Sequence, residues 1–189
     1  LELGDYRFVV MNTNKQRRLA GSKYNERRSQ CEKALKILQD GGVKISALCE
    51  LSPEQWENSK DLIKDELLVR RAKHCVYENQ RVKDAVSALK AGNLEKLGKL
   101  LNESHESLKN DYEVTGIELD TLAETAQKQD GCIGARMTGA GFGGCGIALV
   151  HKDKVEQFVE SVQTEYKKVV GYEASFFDCE SGDGVSHFN

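Results

Sequence analysis

The chain has 189 residues, with 27 Lys and Arg against 30 Asp and Glu for a formal charge of −3, so it can bury a sizeable core without disulfides and carries no global positive field for nucleic acid or anionic lipid. Hydrophobic residues at 39% and charged residues at 30% exclude intrinsic disorder, and no run approaches the ~18 apolar residues of a membrane span. The N-terminal LELGDYRFVV lacks the basic and apolar regions of a secretory signal, so neither anchoring nor secretion is expected.

The start without Met, just ahead of a strand-like run, points to a piece of a longer protein. Tyr6 to Asn12 (YRFVVMN) is rich in β-branched and aromatic residues and reads as a strand. From about Ala20 to Leu38 the period becomes helical, with Tyr24, Cys31, Leu35 and Leu38 on one face, and Gly41 and Gly42 end the helix. Ser52, Pro53 and Gln55 form an N-cap, a first-turn proline and a capping box for a helix running through Trp56 and Ile63. Further helices are predicted from about Leu67 to Ala91, from Leu94 to about Leu108 after the Gly92–Asn93 stop and cap, and from Ile117 to Gln127.

Beyond Gly131 the pattern turns strand-like. CIGARMT and CGIALV read as a hairpin, Asp153 to Val169 as a helix and EASFFDC as a last strand. The order is that of an α+β, ferredoxin-like split β-α-β-β-α-β sheet whose first crossover is expanded into a helical subdomain. One domain is expected over 1–189, with a helical block at about 20–127 and the hairpin and closing βαβ at about 131–179.

The hairpin connection carries the strongest chemical signal. GAGFGG (Gly139 to Gly144) satisfies G-x-G-x-x-G as a string, but an apolar strand follows where a dinucleotide fold needs a helix. Cys145 and Gly146 stand where a Walker A loop needs Lys and Ser or Thr. Four glycines within six positions exceed what a hairpin turn requires, so the loop is read as built for close approach of another backbone or a phosphate.

Other candidates carry less. The six cysteines (Cys31, Cys49, Cys75, Cys132, Cys145, Cys179) form no C-x-x-C pair and have no His at ligand spacing, so reduced, mostly buried thiols of a cytoplasmic protein are expected, with no metal site. His74, His105, His151 and His187 lie near no nucleophile signature and read as surface or helix residues. Arg70, Arg71, Lys73 and His74 form a basic cluster that Asp65, Glu66 and Glu78 should neutralise as a solvated face.

RMTGAGFGGC, together with SKYNERRSQCEKAL (Ser22 to Leu35), RRAKHCVYENQRV (Arg70 to Val82) and ESHESLKNDYEVTGIELDTL (Glu103 to Leu122), closely resembles the galactokinases of the GHMP kinase superfamily, and the resemblance spans essentially the whole chain. It covers the C-terminal half of the family pattern: the sugar signature, the phosphate loop and the catalytic Asp of that family have no counterpart in this sequence. The resemblance implies phosphorylation of the C1 hydroxyl of α-D-galactose by ATP with Mg²⁺, a cleft shared with an upstream N-terminal domain, and no nucleic-acid or membrane partner. It further implies that Thr138, Gly139, Ala140, Gly141, Phe142, Gly143 and Gly144 lie near the phosphates, and that Tyr24, the Tyr of S-x-Y-x-x-R-R, contacts the sugar. Periodicity alone favours Tyr24 as a core residue. No catalytic residue is assigned: Asp111 reads as a helix-connection acid, and Arg27 and Arg28 stay unassigned. The chain alone is expected to be inactive and to bind neither ATP nor Mg²⁺ tightly. Two other functions compete, a galactokinase-like ligand sensor that binds a transcriptional regulator and a plain interaction domain; the second leaves the glycine cluster unexplained.

Overall fold

The protein is described by a computed structural model at residues 3–16, 20–180 and 182; His187 lies outside these. Four strands, β1 (Tyr6–Asn12), β2 (Cys132–Thr138), β3 (Cys145–His151) and β4 (Ser175–Cys179), form an antiparallel sheet in the order β2-β3-β1-β4. Six α-helices join them: α1 (Ala20–Asp40), α2 (Pro53–Ser59), α3 (Glu66–Lys90), α4 (Leu94–Ser107), α5 (Ile117–Ala126) and α6 (Val155–Val170). This is the expected split β-α-β-β-α-β order, with α1 to α4 inserted ahead of α5 in the first crossover.

Alternation along the strands covers both sheet faces. Val9 and Met11 with Ala135, Ala148 and Val150 pack on Leu122 and Ala126 of α5 and on Phe158, Val162 and Tyr166 of α6. Tyr6, Phe8, Ile133 and Leu149 point the other way, against Ala85 and Leu89 of α3 and Leu97 of α4. A separate core around Trp56 holds α1, α2 and α3 together through Ala34, Leu38, Leu68, Ala72 and Val76. The buried stripe of α1 is Arg27, Ala34 and Leu38 with Cys31 half-covered, and Tyr24 falls outside it at 54% exposure. Periodicity placed Tyr24 in that core; the buried position belongs instead to Arg27, whose guanidinium finds partners.

Local signals set most helix ends. Ser52 Oγ accepts the Gln55 N–H while Gln55 Oε1 accepts the Ser52 N–H, closing the predicted capping box. The α-helix from Pro53 is shorter than expected, because it tightens into a 3-10 turn at Lys60–Leu62 before Asp65 caps α3. The thiols also depart from expectation: Cys49 is exposed and the other five are only partly covered.

The edge of β2 is closed by side chains rather than by another strand. Asn102 Oδ1 accepts the Ala135 N–H at 2.8 Å, His105 Nδ1 accepts the Met137 N–H at 3.2 Å, and Gln127 Nε2 donates to the Ala135 carbonyl at 2.8 Å. This brings α4 onto β2 so closely that a Cβ at Gly98 would stand 2.0 Å from the Ile133 carbonyl oxygen. Gly98→Ala should therefore lower unfolding stability by about 1–3 kcal/mol, as overpacking against backbone does; an unchanged urea midpoint would refute this close-packed contact.

Candidate functional site

The β2–β3 connection follows Thr138 and runs from Gly139 to Gly144, and Gly139, Gly141, Phe142, Gly143 and Gly144 all have positive φ. Two anchors force that path. On one side the Phe142 N–H donates to the Val114 carbonyl at 2.6 Å. On the other, the Gly144 N–H donates to Thr13 Oγ1 at 3.1 Å and the Thr13 N–H donates to the Gly144 carbonyl at 2.8 Å. Thr13 is itself fully buried, and its carbonyl accepts the Tyr166 hydroxyl at 2.7 Å. Gly141 is needed twice over: its φ is +79°, and a Cβ there would lie 2.2 Å from the Val114 oxygen.

Val114 is placed by a turn that follows α4. A π-helical turn at Leu108–Tyr112 leads into Glu113 at φ +54°. Arg27 Nε donates to the Tyr112 carbonyl at 2.7 Å and its Nη2 to the Glu113 carbonyl at 2.9 Å. Arg71, 1% exposed, donates to Gln30 Oε1 at 2.9 Å, to the Asp111 carbonyl at 2.6 Å and to Glu113 Oε2 at 2.6 Å. The Arg71 hydrogen bond holds the Glu113 carboxyl below the usual carboxylate range.

The basic cluster is thus not a solvated face. Arg71 and His74 are buried, Arg70 pairs with Glu113 at 2.8 Å and Lys73 with Asp111 at 3.1 Å. Asp65 caps α3 and Glu78 pairs with Arg81 and Arg136, so neutralisation comes chiefly from the 111–113 turn. Asp111 also accepts from Ser107 Oγ, consistent with a structural acid at a helix connection. Arg28 is exposed and pairs along its own helix with Glu32.

Tyr24, Arg27, Leu108, Tyr112, Val114, Gly139, Ala140 and Phe142 line a cleft of about 90 Å³. The Phe142 ring stacks under two cations there, Lys23 Nζ at 5.5 Å and the Arg27 guanidinium at 5.9 Å. Tyr24 also borders an apolar cleft of about 330 Å³ between α1 and the 46–49 segment, with Cys75 of α3 and Tyr112 in its wall. The structure therefore brings Tyr24 beside Gly139, Ala140 and Phe142, whereas Gly141, Gly143 and Gly144 are buried behind them and Thr138 is half-buried. The sequence reading missed Arg27, Arg71, Tyr112 and Val114, which hold the loop from behind. The ERR of SKYNERR and the DYEV before Gly116 were visible, but nothing local says that they pair.

His105, Asp120 and Glu124 bring donor atoms within 4.8 Å of one another, the one such group among the described residues. Because His105 Nδ1 accepts the Met137 N–H, its proton sits on Nε2, aimed at Asp120 Oδ1 3.5 Å away, and Lys109 pairs with Glu124. His105 Nε2 and Asp120 Oδ1 have no closer hydrogen-bond partner, and a cation, Lys109, already sits at the outer carboxylate of the group.

Comparison with known proteins agrees with this geometry. A family described as GHMP kinases C terminal matches residues 85–168, from the end of α3 through the glycine loop to α6. Within those residues the chain carries a GHMP kinase C-terminal domain. Among curated relatives, galactokinase of Clostridium perfringens is 55% identical over 97% of this chain and 47% of its own length. Galactokinase of Lactococcus lactis is 59% identical over 97% and 46%. The crystal structure of Lactococcus lactis galactokinase complexed with galactose superposes with a TM-score of 0.91 at 60% identity, covering 94% of this chain and 45% of that one. The structure of L. major mevalonate kinase, 18% identical with a TM-score of 0.56, shares the fold. The chain spans about half the length of the curated relatives it matches.

Two expectations follow for the GHMP C-terminal domain. Gly141→Ala should displace the loop from Val114 and cost more stability than Gly139→Ala, which has the same sign of φ but nothing within 4 Å of its would-be Cβ; equal losses in paired urea melts would contradict the close-approach role. His74, stacked on Tyr112 at 4.5 Å and bonded to Ser107 Oγ at 3.0 Å, has its pKa lowered to about 4 by burial. Since the unfolded chain then binds the extra proton, stability should fall as pH drops from about 6.5 to about 4, by on the order of 3 kcal/mol. His74→Asn should flatten that part of the curve, and identical pH dependence in the two proteins would rule it out.

Proposed function

We propose that these residues, 1–189, form the C-terminal domain of a galactokinase, which transfers the γ-phosphate of ATP to the C1 hydroxyl of α-D-galactose in the cytoplasm. The observation that carries the reading is the meeting of Tyr24 with the glycine loop at one cleft, in a chain more than half identical to named galactokinases. These relatives favour the kinase over a regulator-binding sensor.

In this reading the Tyr24 hydroxyl, which can both donate and accept, holds the sugar. The exposed Gly139–Ala140 tip of the Thr138–Gly144 loop lets phosphate oxygens approach the main chain, while Phe142 and Val114 fix where that tip stands. Positioning of this kind is most of what phosphoryl transfer asks of a protein. Mg²⁺ needs a set of oxygen ligands, and the cleft beside the loop is lined by Tyr24, Arg27 and apolar groups without a carboxylate. Mg²⁺ does not fit this cleft, and in this reading its ligands, the phosphate loop and the base belong to an upstream domain. Galactose and ATP are therefore bound together with that domain; no nucleic acid or membrane takes part.

The test uses the protein joined to its upstream half. Tyr24→Phe should weaken galactose binding roughly 2- to 10-fold, as loss of one neutral hydrogen bond does, and spare ATP binding. The chain alone should form no galactose 1-phosphate above background. An unchanged galactose Kd in the joined protein would remove Tyr24 from the site, and turnover by the isolated chain would show that the catalytic groups lie within it.

A further inference from the structure

The cleft between α1 and α3 contains a thiol pair that the proposed kinase reaction does not use. Cys31 of α1 and Cys75 of α3 face each other with their sulfurs 3.7 Å apart, and the Tyr112 hydroxyl lies 3.7 Å from the Cys31 sulfur. Both cysteines line the cleft of about 330 Å³, as does Cys49 on the opposite rim. Both are partly covered rather than sealed in the core, so a small reagent entering the cleft reaches them.

We propose that Cys31 and Cys75 form a reversible thiol-oxidation site that takes low-molecular-weight disulfides and closes into a bond between α1 and α3. The Cys31 thiolate attacks one sulfur of a disulfide RSSR; a Cys31–SR bond forms, the RS–SR bond breaks and one RS⁻ leaves. The Cys75 sulfur then attacks the Cys31 sulfur, its proton passing to solvent; the Cys31–Cys75 bond forms and the second RS⁻ leaves. The two cysteines lose two electrons and RSSR is reduced to two thiols, so no other oxidant is required.

The surroundings assign the order of events. The Cys31 thiol donates to the Tyr112 hydroxyl, shares a hydrogen-bond contact with Cys75 and lies near the positive Arg71 and Arg27, and its pKa is lowered to about 7, chiefly by the Cys75 contact. Cys75 is pushed up by that same contact and by burial, so it stays protonated and acts second. On α1 itself Arg28 and Glu32 flank Cys31 at the cleft and pair with each other. Linking the helices would fasten α1 two turns beyond Tyr24, on the wall that the two clefts share. The proposal does not depend on the identity of the sugar or on turnover.

The experiment treats the folded 189-residue chain with 2-hydroxyethyl disulfide at pH 7, blocks remaining thiols with N-ethylmaleimide and maps the peptides by mass spectrometry. A Cys31–Cys75 linked peptide is expected, cleared by dithiothreitol, with Cys31 reacting several-fold faster than Cys132, whose pKa burial pushes up to about 11. Cys75→Ser should stop at the mixed disulfide on Cys31, and Cys31→Ser should suppress reaction at Cys75. Adducts confined to the exposed Cys49, or a Cys31 rate equal to that of Cys132, would overturn the proposal. Because the mapping of the unmutated chain decides the matter by itself, poor folding of either variant would not obscure it.

Discussion

A single buried guanidinium joins the parts of this protein that matter for the cleft. Arg71 donates to α1 through Gln30 and to the 111–113 turn through the Asp111 carbonyl and the Glu113 carboxylate, while standing on α3. A buried charge is tolerated only when its hydrogen bonds are filled, and taking away one partner of such a group is strongly destabilising. Three segments distant in sequence are thereby obliged to meet at one place. The meeting point is next to Val114, whose carbonyl takes the Phe142 N–H.

Two rigid bodies are coupled through that turn. The sheet, with α5 and α6 on one face and α4 on the other, fixes the ends of β2 and β3 and hence where the glycine loop begins and ends. The core around Trp56 fixes α1 and hence Tyr24. Arg27 reaches from α1 to the Tyr112 and Glu113 carbonyls, so the tyrosine and the loop share a common reference. Backbone at positive φ, as at Glu113 and Phe142, persists only where the surroundings over-determine it. Here hydrogen bonds from both bodies do so.

What could be read from the residues was what local chemistry decides. The β-branched run Tyr6–Asn12 forms β1 with the predicted bounds, CIGARMT and CGIALV form the hairpin, and the Ser52 capping box closes as written. What escaped was long-range pairing of charge. Arg71 and Glu113 are 42 positions apart, and a basic cluster beside nearby acids looks the same whether it faces water or a distant turn. The α1 stripe was misjudged for a related reason: periodicity ranks Tyr above Arg as a buried residue, yet an arginine with filled donors occupies the inner position and leaves the tyrosine outside. The concentration of glycines was visible, but the backbone that Gly141 must avoid belongs to Val114, 27 residues earlier, and no local pattern announces it.

The placement of Tyr24 and the loop tip has a consequence for how such a cleft works. Transfer of a phosphoryl group benefits from donors held in place beforehand and from exclusion of water. This half supplies the first property: the loop is pinned at both ends, and Tyr24 sits on a helix locked by Arg27 and Arg71. It does not supply the second, since Tyr24, Gly139 and Ala140 all face solvent. In the proposed kinase, a wall that is ordered before an upstream domain closes on it pays little conformational entropy on closure, so binding free energy can go into alignment rather than into ordering the loop. Arg27 forms part of the cleft wall and Arg71 stands behind it; the contribution of both to the proposed reaction is that order.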